Sequence, residues 1–142
     1  MKRVLVAYGG SAPSRRALAH AADLTRPGDA LTVVTVMPEP GVGARFAPPI
    51  EERNHQWHVL DEARRFMAGR GVEVRTLASV GDAAVEILAA ARQIGADVIE
   101  IARHRGHAPH LLGSITGRVV RSADCDVLVV HEAPEDPDAA PG

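Results

Sequence analysis

The sequence has 142 residues, 46% of them hydrophobic, which is enough apolar material for one domain of ordinary size and too little chain for two. Only 3% of the residues are aromatic and the formal net charge is −2, so the chain lacks both the stacking side chains and the basic surface of a nucleic-acid reader. We therefore expect no nucleic-acid partner.

The charge is unevenly distributed along the chain. Four carboxylates in the segment 132–142 contribute −4, which leaves +2 on residues 1–131. The acidic segment is also rich in proline and alanine, so we predict a domain over 1–131 and a disordered acidic tail over 132–142.

The cellular setting follows from three absences in the sequence. The chain has one cysteine, Cys125, so it has no disulfide framework and a reducing compartment is expected. The N-terminal apolar run breaks at two glycines, and no run approaches the roughly 18 apolar residues of a membrane span. We expect a cytoplasmic protein without a membrane contact.

The first third of the chain predicts a strand, a helix and a second strand. Residues 3–8 form a short, continuous apolar run ended by glycines, which is typical of a strand covered on both faces. Ser11 is placed as a helix N-cap, and Pro13 is tolerated in the first turn. Residues 31–37 are rich in β-branched side chains and predict the second strand.

The middle of the chain predicts a long loop, two helices and a third strand. Segment 38–49 is full of proline and glycine and predicts a mobile loop. Residues 50–69 form an amphipathic pattern in which Trp57 is predicted to pack against the core. Residues 72–79 alternate between apolar and polar side chains, which predicts a strand toward the edge of a sheet. Residues 83–94 predict a helix.

The last third contains the strongest functional signal. A strand over 97–101 leads into a basic turn, 102–110, and then into a helix over 114–122 that opens with Gly-Ser; a final strand covers 126–130. A helix start that follows a basic loop presents unpaired N–H groups and a partial positive charge, which favours an anion.

The alternation of strands and helices predicts an α/β fold with a parallel sheet and helices on both faces. In such a sheet a ligand binds beyond the carboxyl ends of the strands, where the winding direction reverses. We predict that the turn at Ser11 and the segment 102–116 face each other across that crevice, and that the crevice takes an anion or a nucleotide.

Three blocks, in order, carry a resemblance to a known family. The chain resembles the universal stress protein family in VLVAYGGSAPSRRAL (4–18), VGDAAVEILAAARQIGADVIEI (80–101) and LLGSITGRVVRSADCDVLVV (111–130). The resemblance implies a three-layer sandwich with a five-stranded parallel sheet of order 3-2-1-4-5, Rossmann-like and similar to the adenine nucleotide alpha hydrolases. It also implies a homodimer formed through the last strand, Asp126 to Val130, and an unknown protein partner.

In one branch of the family ATP is bound, so ATP is a candidate ligand here. The resemblance, together with the basic loop, implies a nucleotide site formed by Gly10, Ser11, Val36, Arg103, Gly106, Gly113, Ser114, Ile115 and Thr116. Gly10 and Ser11 would contact the sugar and phosphate, Val36 the adenine, and the helix start at 113–116 the phosphates. Each also has a structural explanation, because Gly10 suits a turn, Ser114 a helix cap and Val36 a core.

The family's Gly-x2-Gly-x9-Gly-Ser/Thr pattern is incomplete in this chain. Counting back from Gly113 places the other two glycines at Arg103 and Glu100, and only six residues separate Gly106 from Gly113. The aspartate of the family's Asp-Gly-Ser turn is Gly9. These changes remove a contact to the nucleoside and admit side chains where a triphosphate would approach bare backbone.

The basic loop has two interpretations. Its cations and imidazoles could replace the missing backbone contacts with charge-assisted contacts to phosphate, or they could form a solvated rim over a vestigial crevice. His104, His107 and His110 are evenly spaced, but a turn with Gly106 and Pro109 and no nearby cysteine argues against zinc, and we predict no metal.

Three functions remain for the predicted site. The first is a non-enzymatic stress-response dimer in which a nucleotide acts as a switch, with segment 38–49 as the responsive element. The second is an ATP-pyrophosphatase-type enzyme, which is disfavoured because no paired carboxylates or activated nucleophile accompany the crevice. The third is a nucleotide-free dimerisation or adaptor module. We expect no enzymatic activity.

Overall fold

Strands and helices alternate along the chain as the sequence predicts. The computed structural model describes residues 1–39, 50–103 and 114–131, with the side chains of 50–52 left out of the description. The elements, in chain order, are β1 (Arg3–Ala7), α1 (Ala12–Leu24), β2 (Ala30–Met37), α2 (Ile50–Met67), β3 (Glu73–Val80), α3 (Ala83–Ile94), β4 (Val98–Arg103), α4 (Ile115–Ser122) and β5 (Asp126–His131).

The five strands form one parallel sheet of order β3-β2-β1-β4-β5. This confirms the predicted fold class, an α/β three-layer sandwich with Rossmann-like winding, and it confirms β3 as an edge strand. Helices α1 and α2 cover one face of the sheet, and α3 and α4 cover the other. The winding direction therefore reverses between β1 and β4, which is where ligands bind in open sheets of this kind.

Two apolar layers, one on each face, hold the helices to the sheet. Alternate residues of β1 point to opposite layers: Val4 and Val6 pack with Leu18 of α1, whereas Leu5 packs in the layer beneath α3 and α4. Burial on both faces explains why β1 has a continuous apolar sequence rather than an alternating one. The layers contain few aromatic side chains, so small and branched aliphatic residues bring the helices close to the sheet.

The central strand stops earlier than its neighbours at the carboxyl edge. The β1 register ends with Ala7 opposite Val34, whereas β2 continues to Met37. On the other side, β4 continues to Arg103, which pairs with β5. The difference in length leaves a notch above the end of β1, between the last residues of β2 and β4.

Side-chain caps fix where three helices begin. The Ser11 side chain accepts the Ser14 N–H at the start of α1, as predicted, and Asp82 accepts the Val85 N–H at the start of α3. Ser114 accepts the Gly117 N–H at the start of α4. All three helices therefore start at the carboxyl edge of the sheet with defined first turns.

The prediction for Trp57 was wrong. Its side chain is 58% exposed, and the buried positions of α2 are instead Gln56, Val59, Leu60, Ala63 and Met67. That stripe follows helical spacing one residue away from Trp57, so the tryptophan flanks the buried face and lies outside the core.

Parts of three predicted segments lie outside the described residues: 40–49 of the predicted loop, 104–110 of the basic turn and the tail 132–142. None of the helices in the described ranges is both long enough and apolar enough to cross a membrane.

Candidate functional site

The notch above β1 contains a cavity of about 190 Å³. Its walls come from the carboxyl ends of β1, β2 and β4 and from the first turns of α1, α3 and α4. The lining residues are Ala7, Tyr8, Gly9, Ser11, Ser14, Val34, Thr35, Val36, Ala83, Ile87, Ile101, Ala102, Ile115 and Thr116. The prediction that the turn after β1 and the start of α4 meet over the same edge of the sheet is confirmed.

Four of the predicted site residues line this cavity: Ser11, Val36, Ile115 and Thr116. Three others are described but do not line it. Gly10 occupies the turn before α1, Ser114 caps α4, and Arg103 is an exposed residue at the end of β4. Gly106 and Gly113 lie outside the described residues, so their predicted contacts are not tested.

Gly10 has a structural role that accounts for its residue type. Its φ of +82° lies in the region that favours glycine, and a Cβ there would lie 3.3 Å from a methyl group of Val59 on α2. The turn after β1 is therefore packed against α2, and this contact positions Ser11 at the cavity.

The side chain of Glu100, the residue at one of the two missing glycine positions, does not enter the cavity. Glu100 lies inside β4 with 0% of its surface exposed, and its Oε2 lies 3.3 Å from Nδ1 of His20 on α1. It therefore faces the α1 layer and not the cavity. The β4 residue that closes the notch is Ala102, two positions further along, because the strand runs on to Arg103 before the loop begins.

The described cavity lining contains no charged side chain. The lining residues with polar side chains all carry hydroxyls: Tyr8, Ser11, Ser14, Thr35 and Thr116. The Thr116 hydroxyl donates to the Ala102 carbonyl over 3.2 Å, which fixes the first turn of α4 against the end of β4. The wall is therefore mainly apolar, with neutral hydrogen-bonding groups on it, as in many small-molecule sites.

The two helix starts at the cavity differ in the donors that they offer. At α1, Pro13 has no N–H and the Ser14 N–H is occupied by the Ser11 hydroxyl. At α4, the cap takes the Gly117 N–H, and the N–H groups of Ile115 and Thr116 belong to a first turn that has no intrahelical acceptors for them. The α4 start is therefore the better anion-binding end of the cavity.

A hydrogen-bonded cluster supports the cavity floor. The Tyr8 side chain is 3% exposed, and its hydroxyl donates to Oε1 of Glu62 over 2.7 Å; the Nε of Arg15 donates to the same oxygen, also over 2.7 Å. Burial, followed by the bond to Glu62, raises the pKa of Tyr8 to about 12. The bonds from Arg15 and Tyr8 lower the pKa of Glu62.

Because Tyr8 is the only tyrosine in the chain, its ionisation can be measured directly. We expect the ultraviolet phenolate absorbance to titrate near pH 12 rather than at the ordinary 10.0. The folded protein then holds one more proton than the unfolded chain between these values, so stability falls as pH rises through that window. A midpoint near 10 while far-ultraviolet circular dichroism still reports folded protein would contradict the buried Tyr8–Glu62 contact.

Tyr8, Ala102 and Ala83 line the cavity but were not among the predicted site residues. Tyr8 ends an apolar run. That pattern predicts a strand, but it does not predict that Tyr8 lines a cavity. Whether Ala102 and Ala83 reach the cavity depends on where β4 and α3 end relative to β1, and this is a property of strand register. Trp57 is absent from the lining.

Within the described ranges, no group of three or more His, Cys, Asp or Glu side chains could hold a metal ion. His104, His107 and His110 lie outside those ranges, so the metal prediction stays a prediction.

Comparisons with known proteins agree with the fold. The sequence model of the universal stress protein family matches residues 1–131. A search of curated proteins found no match. Among solved structures, a universal stress protein in complex with cAMP has a TM-score of 0.78 at 23% identity, over 93% of this chain and 98% of that chain.

Two further structures come from named organisms. A family member from Burkholderia pseudomallei has a TM-score of 0.72 at 28% identity, over 91% of this chain and 95% of that chain. One from Arabidopsis thaliana, with AMP bound, has a TM-score of 0.72 at 18% identity, over 96% and 98% of the two chains. At identities below 25%, such likeness establishes the fold alone.

Proposed function

Because the chain belongs to the universal stress protein family, we propose that it is a non-enzymatic stress-response protein that binds an adenine nucleotide as a regulatory ligand in the notch above β1. The observation that carries the proposal is the convergence of Ser11, Val36, Ile115 and Thr116 on one cavity at the winding reversal. Two solved relatives were crystallised with cAMP and with AMP, which supports an adenine nucleotide as the ligand class.

The chemistry of the cavity supports one orientation of the ligand. The adenine ring would lie against the apolar wall at the end of β2, near Val36, and the phosphate would reach the first turn of α4. There the first-turn N–H groups, which have no intrahelical acceptors, and the helix dipole both favour an anion. Ser11 lines the cavity at the start of α1, where the ribose would lie.

The uncharged lining supports the non-enzymatic part of the proposal. The described residues that line the cavity include no carboxylate, histidine, lysine or cysteine, so none of them could act as a base toward the serine hydroxyls. An ATP-pyrophosphatase would need such a group beside the phosphates. Release of phosphate from ATP at a rate well above that of a buffer blank would replace this proposal with the enzymatic one.

The binding test compares AMP, cAMP, ADP and ATP by isothermal titration calorimetry and by thermal shift. A nucleotide that binds only the folded protein raises the melting temperature by mass action, by an amount that grows with its concentration. We expect at least one of the four to bind and to stabilise. If none shifts the melting temperature at millimolar concentration while the protein is folded, the nucleotide is excluded.

Filling the cavity should weaken binding without unfolding the protein. In Ala7→Leu, the larger side chain would occupy part of the 190 Å³ above β1, and we expect nucleotide affinity to fall at least about ten-fold. The matched control is Ala68→Leu, an exposed position just beyond the carboxyl end of α2, which should leave affinity unchanged. Equal affinity in Ala7→Leu and the wild type would place the ligand elsewhere.

One observation favours the nucleotide-free adaptor as the second candidate function. The cavity formed by the described residues is smaller than the roughly 300–1,000 Å³ of typical small-molecule pockets. A folded dimer that binds none of the four nucleotides would support this alternative.

The proposed dimer rests on the exposed edge of the sheet at β5. Val127, Leu128 and Val129 are half-buried in the single chain and lie between exposed residues at the two ends of the strand, Asp126 and His131. The opposite edge, β3, instead exposes charged residues such as Glu73 and Arg75. An apolar edge with unpaired backbone groups is suited to pairing with a second copy about a two-fold axis.

Sedimentation or light scattering tests this assembly. We expect a species of twice the 15.0 kDa chain mass, and we expect Val129→Lys to convert it to monomer, because a lysine at the centre of the paired edge would be desolvated. The matched control is Ala78→Lys on the exposed part of β3, which should remain dimeric. A monomeric wild type, or dissociation of both variants, would contradict pairing through β5.

A further inference from the structure

An ion pair joins the first turns of the two helices that close one side of the cavity. Nη1 of Arg118 on α4 donates to Oδ2 of Asp82 over 2.9 Å. The residue after Asp82 is Ala83, and one turn before Arg118 lies Ile115; both line the cavity. The pair therefore lies beside the cavity, at its α3–α4 side.

Both members of the pair are accessible to solvent. The side chains of Arg118 and Asp82 are 39% and 49% exposed. An ion pair of this exposure contributes little to stability, because water screens the attraction and ordering the side chains costs entropy. Because the pair lies next to the anion-binding end of the cavity, we expect it to affect ligand binding more than stability.

The two oxygens of the Asp82 carboxylate make different contacts. Oδ1 caps α3 by accepting the Val85 N–H over 3.0 Å, and Oδ2 holds the guanidinium of Arg118. The bonds from Arg118 and Val85 lower the pKa of Asp82, so the carboxylate stays charged at neutral pH. The charge of Arg118, a cation beside the cavity, is thus neutralised by Asp82.

We propose that the Asp82–Arg118 pair determines the charge of the ligand that the cavity accepts, with Arg118 exchanging Asp82 for the ligand's phosphate. The inference rests on the proposed function, since it requires a nucleotide in the notch. A phosphate at the α4 start competes with Asp82 for the same guanidinium, and Arg pairs well with either oxyanion. The energy of breaking the existing pair reduces the net gain from binding the phosphate.

Two single substitutions separate the two members of the pair. Asp82→Asn removes the competing charge and keeps the cap, because asparagine is as good an N-cap as aspartate. Arg118→Gln removes the cation and leaves Asp82 uncompensated. The measured quantity is the ratio of the dissociation constants of adenosine and AMP, which differ only by the phosphate. A variant that merely loosens the fold weakens both ligands and leaves the ratio unchanged.

The Arg92–Asp124 ion pair provides a matched control. It joins α3 to the turn before β5, at the amino edge of the sheet, with Nε and Oδ2 3.0 Å apart. Asp124→Asn and Arg92→Gln change the net charge of the protein by the same amounts as the two test variants. They lie far from the notch in the fold, so they report any general effect of net charge on AMP binding.

We expect Asp82→Asn to strengthen AMP binding roughly ten-fold and Arg118→Gln to weaken it roughly ten-fold, with adenosine changed less than about two-fold in either. Both effects should shrink at high salt, since the groups are exposed. Control variants should retain the wild-type ratio. If the wild type binds AMP but all variants keep the wild-type ratio, or if the controls shift it as much, the pair has no such role. If the wild type binds neither ligand, the proposed function itself fails.

Discussion

Replacing Glu100 with methionine is expected to raise the free energy of unfolding by about 1–4 kcal/mol at pH 8. Glu100 has 0% of its surface exposed, and within the described residues its Oε1 has no hydrogen-bond partner. Its only described partner is His20, at 3.3 Å. Desolvation of the carboxylate is therefore poorly compensated, and methionine is an apolar side chain of similar shape.

The effect should depend on pH in a defined direction. Burial raises the pKa of Glu100 above the ordinary 4.5, and the contact with His20 only partly offsets this. The folded protein therefore takes up a proton that the unfolded chain has already released, and wild-type stability falls as pH rises above 4.5. The difference between Glu100→Met and the wild type should be small at pH 4 and should grow toward pH 8.

Denaturant titrations at several pH values provide the measurement. Glu73→Met is the matched control, because Glu73 is also a glutamate in a strand but lies exposed at the sheet edge; we expect a change within about 0.5 kcal/mol at every pH. If Glu100→Met is less stable than the wild type at pH 8, the buried carboxylate is a net stabilising group and this prediction is wrong.

The second large effect is expected at Gln56. Its side chain is 8% exposed, and its Nε2 donates to the Thr35 carbonyl over 3.1 Å and to the Ser79 carbonyl over 3.0 Å. One amide group thus ties α2 to the ends of β2 and β3. In Gln56→Leu both acceptors lose this donor while remaining covered, and we expect a loss of about 1–3 kcal/mol.

Chemical denaturation measures this loss, and Gln93→Leu on the exposed face of α3 is the control for replacing glutamine with leucine. The control should change stability by less than about 0.5 kcal/mol. A loss at Gln56 no greater than that at Gln93 would mean that water replaces the amide at both carbonyls.

Much of the fold could be predicted because the layers have distinct sequence patterns. Continuous apolar runs mark the strands that are covered on both faces, and the predicted helix over 83–94 agrees with the observed α3, whose caps are Asp82 and Gly95. The strand order came from the family resemblance, since apolar runs do not reveal which strands are neighbours. Trp57 was misplaced because a shift of one residue in the buried stripe of a helix moves a side chain by about 100°.

The site was predicted less completely, for reasons of register. Ser11, Val36, Ile115 and Thr116 were predicted through the family resemblance, and the structure places all four at the cavity. Ala102 could not be found, because its position depends on how far β4 extends beyond β1. Burial of Glu100 was open to prediction, however: a central strand covered on both faces has no exposed side for a charged residue.

The oxygen of Glu62 that accepts two hydrogen bonds connects the cavity to the outer surface of α2. A single oxygen of Glu62 receives both Tyr8 and Arg15, so the floor, the start of α1 and the middle of α2 are mechanically linked. A ligand that displaces the phenol ring must move or break that link. The change would then emerge on the outer surface of α2, some distance from the opening through which the ligand entered.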